Sequence, residues 1–253
     1  MKLSIIIPAH NEEKRISRTL EDYGKFFSKR YKKDFEIIVI LNGCTDNTYN
    51  IVKKFKKKYS QIKYLDFKQA GKGFAIIEGF KIAKGNLIGF TDADDSTNAE
   101  EFEKLISNIK DYDGIIASRY LKESEVFPKQ SFKRIVVSRI FNFLVRILFR
   151  LPYKDTQLGA KIFKRRAIKE VLLKLGLTEW AFDVDLLYNL KIKNFKIKEI
   201  PIKWKELGGS KLDIEKISIQ MLLSIIQLRI IHSPFKKILK QIPLIKFLYT
   251  ITK

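Results

Sequence analysis

Short runs of largely β-branched residues recur along the chain up to Tyr120, separated by longer polar or amphipathic segments. They predict five strands, at Leu3–Pro8, Phe35–Leu41, Ile62–Phe67, Leu87–Thr91 and Gly114–Ser118. Helices fit between them, for example at Glu12–Arg30 and Thr45–Tyr59. Strands that alternate with helices form parallel sheets through crossover connections. We therefore expect an α/β fold, a mostly parallel sheet flanked by helices, whose ligands bind beyond the carboxyl ends of the strands.

Length and composition predict one catalytic domain followed by a tail. A chain of 253 residues can bury one full core, and we place that domain at residues 1–212. Residues 213–253 are rich in apolar and basic residues, which predicts amphipathic helices there, broken near Ser233-Pro234.

The charge of the chain indicates an anionic partner. It has 50 Lys and Arg residues against 28 Asp and Glu, a formal net charge of +22. Nucleic acid, an acidic membrane surface and phosphorylated substrates all meet that requirement. Cys44 is the only cysteine, so a disulfide framework or a cysteine zinc site cannot form within one chain. This cysteine usage favours a reducing compartment.

The apolar segments predict contact with a membrane surface rather than a membrane span. No segment has the roughly 18 to 20 uninterrupted apolar residues that a span needs. Phe132–Phe149 instead sets arginines among bulky apolar residues, the pattern of a basic amphipathic helix. A core-facing helix has a similar pattern, so that alternative stays open. We expect peripheral attachment to the cytoplasmic face of a membrane.

Carboxylates follow the fourth predicted strand, in Thr91-Asp92-Ala93-Asp94-Asp95. Side chains alternate in an extended backbone, so Asp92 and Asp94 are expected on the same side at the carboxyl end of that strand. Two such oxygen ligands can hold Mg²⁺ or Mn²⁺ next to a diphosphate. Acidic turns after strands are also common structural features. The pair therefore indicates a metal site only in combination with the motifs around it.

Those motifs occur in a specific order. Pro8-Ala9-His10-Asn11-Glu12 and Asn42-Gly43-Cys44-Thr45-Asp46 follow the first two strands, where their side chains can hydrogen-bond a ribose and a base. Gly71-Lys72-Gly73 and Asp92-Ala93-Asp94 come next. In this order the motifs resemble those of the family 2 glycosyltransferases, whose single nucleotide-sugar-binding domain has the Rossmann-like GT-A fold.

Four later motifs narrow the resemblance. They are Asp155-Thr156-Gln157-Leu158-Gly159-Ala160-Lys161, Glu179-Trp180-Ala181-Phe182-Asp183-Val184-Asp185, Pro201-Ile202-Lys203-Trp204 and Gly209-Ser210-Lys211-Leu212. Together they resemble the dolichyl-phosphate β-glucosyltransferases, which are related to the dolichol-phosphate mannose synthases.

The resemblance implies a role for individual residues. It implies a nucleotide sugar, in the first place a UDP-hexose, bound by Pro8, Ala9, His10, Glu12, Asn42, Asp46, Lys72, Asp92, Ala93 and Lys211. It implies that Asp92 and Asp94 bind Mg²⁺ or Mn²⁺, and that Arg119, Arg134 and Ser138 hold the phosphate of a dolichyl or polyprenyl phosphate acceptor. Many members have an acidic pair where this chain has Leu41-Asn42, so the base that Asn42 would contact stays open.

The charge of such an acceptor predicts the mechanism. A phosphate monoester has a second pKa of about 6 and is largely dianionic at neutral pH, so it needs little help from a base. Its oxygen would attack the anomeric carbon opposite the departing diphosphate and invert the configuration. Asp94, Asp155 and Asp185 are the candidate catalytic residues, the last two by orienting sugar hydroxyls or a lysine. Either of those two could instead be a structural cap.

Other functions fit the sequence less well. A mannose synthase using GDP-mannose stays open, as does a transferase with a saccharide acceptor, although the latter would need a general base. A nucleotidyltransferase would need a Gly-rich loop after the first strand, which is not found there. The basic run Lys53–Lys58 lies on a predicted outer helix with no recognised nucleic-acid module, so we expect no nucleic-acid partner.

Overall fold

The computed structural model describes residues 1–128, 132–176, 181–205 and 214–233, without the side chains of residues 132–134 and 214–219. Lys211, the side chain of Arg134, the boundary expected at residue 212 and residues 234–253 of the predicted tail lie outside this description. The described strands are β1 Leu3–Ala9, β2 Phe35–Asn42, β3 Ile62–Phe67, β4 Leu87–Phe90, β5 Gly114–Ser118, β6 Glu125–Phe127, β7 Lys161–Lys164, β8 Ile197–Pro201 and β9 Lys203–Lys205. The described helices are α1 Ile16–Tyr31, α2 Thr48–Lys58, α3 Lys72–Ile82, α4 Ala99–Ser107, α5 Phe132–Phe149, α6 Arg165–Val171, α7 Phe182–Ile192 and α8 Ile214–Ile231.

Seven of the strands form one sheet in the order β3-β2-β1-β4-β7-β5-β8. β7 runs antiparallel to its two neighbours, and the other pairs in this sheet are parallel. β6 and β9 form a separate parallel pair. The expectation of a mostly parallel α/β sheet is confirmed, but the sequence did not reveal the antiparallel strand β7 in its interior.

Helices cover both faces of this sheet. Ile5 and Ile7 of β1 pack on the side of α1, α2 and α4. Ile6 packs on the opposite side, which α3, α5, α6, α7 and α8 cover. A strand that is buried on both faces has no side in contact with solvent, so β1 and β2 are almost continuously apolar. The predicted bounds of β1 to β5 agree closely with the structure, and burial on both faces explains this agreement for β1, β2 and β5.

One side of α5 packs in the core, and the opposite side is also apolar but is exposed. Phe141, Val145 and Phe149 are buried in the core. Val136, Ile140, Phe143 and Ile147 form an exposed stripe at helical spacing, which we call the α5 stripe. Among the helices that the structure describes, none combines the length and the apolarity needed to cross a bilayer.

Candidate functional site

The segments that carry the sequence motifs meet at one edge of the sheet. β1, β2, β4 and β5 end at this edge, with Ala9, Asn42, Phe90 and Ser118 as their last residues. β7 is antiparallel, so it begins here, at Lys161. The loop before β7 therefore joins the loops that follow the other strands. This edge is the candidate site, as the crossover topology predicts.

Asp92 and Lys72 form an ion pair at the centre of the site. Lys72 Nζ lies 2.5 Å from Asp92 Oδ1, and each side chain remains 37% exposed. Partial burial would raise the pKa of Asp92, but Lys72, with Lys161 and Arg119, outweighs it and lowers that pKa. Burial likewise opposes the charge of Lys72, yet Asp92 and Asp183 raise its pKa. Both groups therefore carry full charge at neutral pH.

Asp94 reaches the site by a route that the sequence did not predict. β4 ends at Phe90, and residues 93 and 94 form a turn, so the argument from extended alternation was wrong. Asp94 Oδ1 accepts a hydrogen bond from the Ser96 amide at 3.0 Å, and its Oδ2 lies 3.7 Å from Arg15 Nη1. The charges of Asp94 and Asp92 nevertheless both raise the pKa of Glu12.

Glu12 and Arg15 form a bidentate pair beside these aspartates. Arg15 Nε and Nη2 each donate to a Glu12 oxygen at 2.7 Å. Burial raises the pKa of Glu12; Arg15 opposes this rise, while Asp94 and Asp92 add to it. Arg15 was not among the predicted site residues. It places a cation beside Glu12 and Asp94, and a cation is the kind of group that binds a diphosphate.

Asp95 ties the acidic loop to α1. Its backbone is left-handed (φ 58°), and its Oδ2 accepts from Arg18 Nε at 2.9 Å. Its Oδ1 is buried, with no hydrogen-bond partner in the part of the chain that the structure describes. Burial and nearby Asp22 raise the pKa of Asp95 to about 6. The backbone of Ala93 is held in the same way, because its carbonyl accepts from the Thr19 hydroxyl at 2.7 Å.

Several predicted nucleotide-binding residues hold the loops of the site together. His10 Nδ1 lies 2.7 Å from the Asn42 carbonyl oxygen. The Asn42 amide, in the orientation that satisfies its neighbours, donates to the Ala9 carbonyl at 2.6 Å and accepts from the Gly71 amide at 3.1 Å. Asn42 is buried, so its side chain links three segments of the site.

Asp46 has a similar connecting position. Its carboxylate accepts from the Thr48 amide at the start of α2 and from the Glu13 amide, both at 3.0 Å. Burial would raise the pKa of Asp46, but the hydrogen bonds from Thr48 and Glu13 lower it. Pro8 lies one residue before the end of β1 and is buried.

Arg119 and Asp155 form a buried bidentate pair at the end of β5. Arg119 Nε and Nη2 donate to the two Asp155 oxygens at 2.7 and 3.0 Å, and the Arg119 amide donates at 3.1 Å. Asp155 is fully buried and Arg119 is 12% exposed. Burial opposes both charges, but each group shifts the pKa of the other toward the charged form. One edge of the Arg119 fork, formed by Nε and Nη2, is therefore occupied by Asp155.

Lys161 and Asp183 form a second buried pair, which the sequence did not single out. Lys161 is fully buried, and its Nζ donates to Asp183 Oδ1 at 2.5 Å and to the Leu158 carbonyl at 2.6 Å. Burial lowers the pKa of Lys161, while Asp183 opposes that change. Asp183 also acts on Lys72. It therefore connects the Lys72–Asp92 pair to the loop before β7.

Asp183, rather than the predicted Asp185, faces the lysines. Asp185 is buried elsewhere, where its oxygens accept from Gly176 N and Asn189 Nδ2 and lie 2.8 Å from His232 Nε2. The two aspartates are two residues apart on α7, and helical residues at that spacing point in different directions. The sequence Phe182-Asp183-Val184-Asp185 contained the right residue, but only helix geometry distinguishes the two aspartates.

Ser138 on α5 contacts the segment after β5. The Tyr120 hydroxyl donates to Ser138 Oγ at 2.5 Å. Tyr120 follows Arg119 directly, so this contact brings α5 and its exposed stripe to the edge of the site. The structure thus brings Ser138 and Arg119 into one neighbourhood.

Comparisons with known proteins show what the sequence of this chain is similar to. The glycosyl transferase family 2 model matches residues 4–172. The dolichyl-phosphate beta-glucosyltransferase of Dictyostelium discoideum is 36% identical over 240 residues, covering 90% of this chain and 73% of that protein. The same-named protein of Saccharomyces cerevisiae is 34% identical over 249 residues, covering 91% and 75%.

A solved structure shares the fold at low sequence identity. Glucosyl-3-phosphoglycerate synthase from Mycobacterium tuberculosis, in complex with Mn²⁺, UDP and glucosyl-3-phosphoglycerate, superposes with a TM-score of 0.63. It is 15% identical, and the match covers 90% of this chain and 79% of that one.

Proposed function

The chain belongs to glycosyl transferase family 2, and from that premise we propose that it transfers glucose from UDP-glucose to dolichyl or another polyprenyl phosphate, with inversion. One observation carries this proposal. Ser138 of α5 contacts Tyr120, next to Arg119, so a helix with an exposed apolar stripe borders the charged centre around Asp92. A water-soluble acceptor would not pack against that stripe, whereas the hydrocarbon chain of a lipid phosphate would.

The donor would bind across the ends of β1, β2 and β4. Pro8, Ala9, His10, Asn42 and Asp46 shape the loops where the nucleoside would lie, with Lys211 assigned there by resemblance alone. Lys72 and Arg15 are the cations nearest the acidic cluster, and both can meet the diphosphate. Their charge would stabilise the leaving group as negative charge grows on it.

The donor set at Asp92 and Asp94 fits Mg²⁺ or Mn²⁺. Asp92 keeps part of its carboxylate exposed, and both residues offer the hard oxygen atoms that these ions prefer. Groups of three possible ligands are absent from the described residues, so the diphosphate and water would complete the coordination shell. A bound ion would supply Lewis-acid stabilisation of the diphosphate. Ala93, between the two aspartates, fixes the loop through its carbonyl.

Positioning and charge would supply most of the rate. The acceptor phosphate would be held by Ser138, by Arg134 and by the part of Arg119 that Asp155 leaves free. Its oxygen would form the new bond to the anomeric carbon as the bond to the diphosphate breaks. Holding two anions in line lowers the barrier by proximity. Asp155 would orient Arg119, and Asp183 could accept a hydrogen bond from a sugar hydroxyl.

The α5 stripe would attach the enzyme to the membrane that contains its acceptor. Shallow insertion of apolar side chains, combined with attraction between a basic protein and anionic headgroups, gives reversible peripheral binding. The net charge of +22 supports that attraction. We propose the cytoplasmic face for this membrane contact, because nucleotide sugars would be available to the enzyme there.

The test is transfer of radiolabel from UDP-glucose, and in parallel from GDP-mannose, to dolichyl phosphate in detergent with Mg²⁺ or Mn²⁺. We expect label in the lipid from UDP-glucose and its loss on chelation. Asp94→Asn should lower the rate at least about 100-fold, the usual effect of removing one stabilising group from a charged transition state. Asp111→Asn, an exposed carboxylate outside the site, is the matched control. Label from GDP-mannose alone, or no lipid product from either donor, would refute the proposal.

A further inference from the structure

Two arginines contact the ring of Tyr120. The Arg119 guanidinium carbon lies 5.4 Å from the ring centroid, and the Arg139 carbon lies 4.3 Å from it. The Tyr120 hydroxyl donates to Ser138 Oγ at 2.5 Å, so Ser138 keeps its own hydroxyl hydrogen for another acceptor. Tyr120 thus joins the end of β5 to two consecutive residues of α5.

The two arginines differ in what their N–H groups do. Arg119 is nearly buried and donates to both oxygens of Asp155. Arg139 is exposed, and within the described ranges it forms no ion pair with a carboxylate. Stacking on an aromatic ring uses the face of a guanidinium, while hydrogen bonding uses its edge. Arg139 is therefore held against the Tyr120 ring, and no carboxylate among the described residues pairs with its guanidinium.

We propose that Arg139, together with the Ser138 hydroxyl, binds the phosphate of the acceptor lipid. A planar guanidinium matches two phosphate oxygens, and such charge-assisted bonds are the strong ones. Ile140 of the α5 stripe is the next residue along the helix and is 54% exposed. A lipid phosphate at Arg139 would then have its chain beside an apolar surface. That the anion is the acceptor rests on the proposed function.

Arg139 lies where a phosphate bound to it would be close to the proposed donor site. Arg119 lies close enough to Asp92 to help lower the pKa of that carboxyl. Arg119 and Arg139 both contact the Tyr120 ring, so that ring links the two guanidinium groups. Arg119 uses Nε and Nη2 to hold Asp155 and would offer the phosphate only its remaining N–H groups. Arg139 would therefore add a second guanidinium to the phosphate contact.

Binding of citronellyl phosphate, a short water-soluble isoprenyl phosphate, tests this site without a membrane and without the donor. Isothermal titration should show about tenfold weaker binding or more for Arg139→Gln than for the unchanged protein, as expected for a lost charged hydrogen bond. Arg139→Lys should be intermediate, because lysine keeps the charge but lacks the fork. Arg150→Gln, an exposed arginine just after α5, removes the same charge and should bind like the unchanged protein.

The outcomes separate the sources of the anion and the two proposals. If Arg139→Gln binds citronellyl phosphate as tightly as the unchanged protein and loses only binding to anionic vesicles, Arg139 is a general membrane contact and the inference is wrong. Equal dependence of inorganic phosphate binding on Arg139, without tighter binding of the isoprenyl compound, would also overturn the assignment to the acceptor. Arg139-dependent binding without any glucose transfer would overturn the proposed function and leave the anion site intact.

Discussion

Gly159 lies directly against the carboxylate of Asp92. A Cβ atom at position 159 would be 2.2 Å from Asp92 Oδ2 and 2.4 Å from its Cγ. Real Cβ atoms do not approach other atoms so closely, so one of the two segments would have to move. The absence of a side chain at residue 159 lets the loop before β7 pack directly against Asp92.

Gly159→Ala should therefore lower the transfer rate by displacing Asp92 from Lys72. A shift of about 1 Å at a reacting centre can cost about 100-fold in rate, and we expect a loss of that order with the fold retained. Gly176→Ala is the matched control, because its Cβ would meet Asp185 at an ordinary 3.6 Å. Rates and circular dichroism of both variants decide the matter. Near-normal transfer by Gly159→Ala would show that Asp92 tolerates displacement.

Lys161→Met should destabilise the protein by leaving Asp183 without its buried partner. Breaking a buried ion pair costs about 3 to 5 kcal/mol in the free energy of unfolding. The double variant Lys161→Met/Asp183→Asn should be more stable than the single one, because it removes both charges. Urea unfolding measures each value, with Lys193→Met in an exposed pair as the control. A double variant no more stable than the single one would argue against this coupling.

The pair formed by Arg119 and Asp155 should make stability depend on pH in the acid range. Burial would raise the pKa of Asp155, but Arg119 outweighs it and lowers that pKa in the folded state. The ionised carboxylate then stabilises the fold fully above the unfolded pKa of about 3.9, and this contribution disappears as pH falls through the lower folded value.

Asp155→Asn should accordingly cost about 3 to 5 kcal/mol of unfolding free energy at pH 7. The difference from the unchanged protein should shrink as the pH falls below about 4. Denaturant titrations at several pH values measure it, and Asp111→Asn reports the effect of removing one surface charge. A difference that stays constant down to pH 2 would count against the ion pair as its cause.

The α5 stripe should bind anionic membranes. Ile140→Ser/Phe143→Ser removes side chains that are 54% and 59% exposed, so the fold should persist. Since burying one such side chain is worth about 1.5 to 3 kcal/mol, vesicle binding should weaken at least about tenfold. Leu173→Ser, at a leucine that is 98% exposed, is the control for loss of surface apolarity. Co-sedimentation with acidic vesicles that is equal for all three proteins would exclude this surface.

The strands β1, β2 and β5 could be predicted because they are buried on both faces, which requires consecutive apolar residues. Ile5, Ile6 and Ile7 are all buried, alternately on the two sides of the sheet. β7 could not be predicted in the same way, because its four residues begin and end with lysine. Lys161 is tolerated at the centre of the sheet only because Asp183, from a helix 22 residues away, neutralises it.

The candidate site shows the same contrast between features that adjacent residues predict and features that depend on residues distant in sequence. The sequence by itself determined the family and the strands β1, β2, β4 and β5 that the motifs follow, because those features depend on neighbouring residues and on recognisable motifs. Only the tertiary structure decided that Asp183 and not Asp185 meets the lysines, that Asp155 pairs with Arg119, and that Arg139 contacts the Tyr120 ring. Such pairings join residues distant in sequence, and packing of helices against the sheet, rather than local pattern, determines which charges meet.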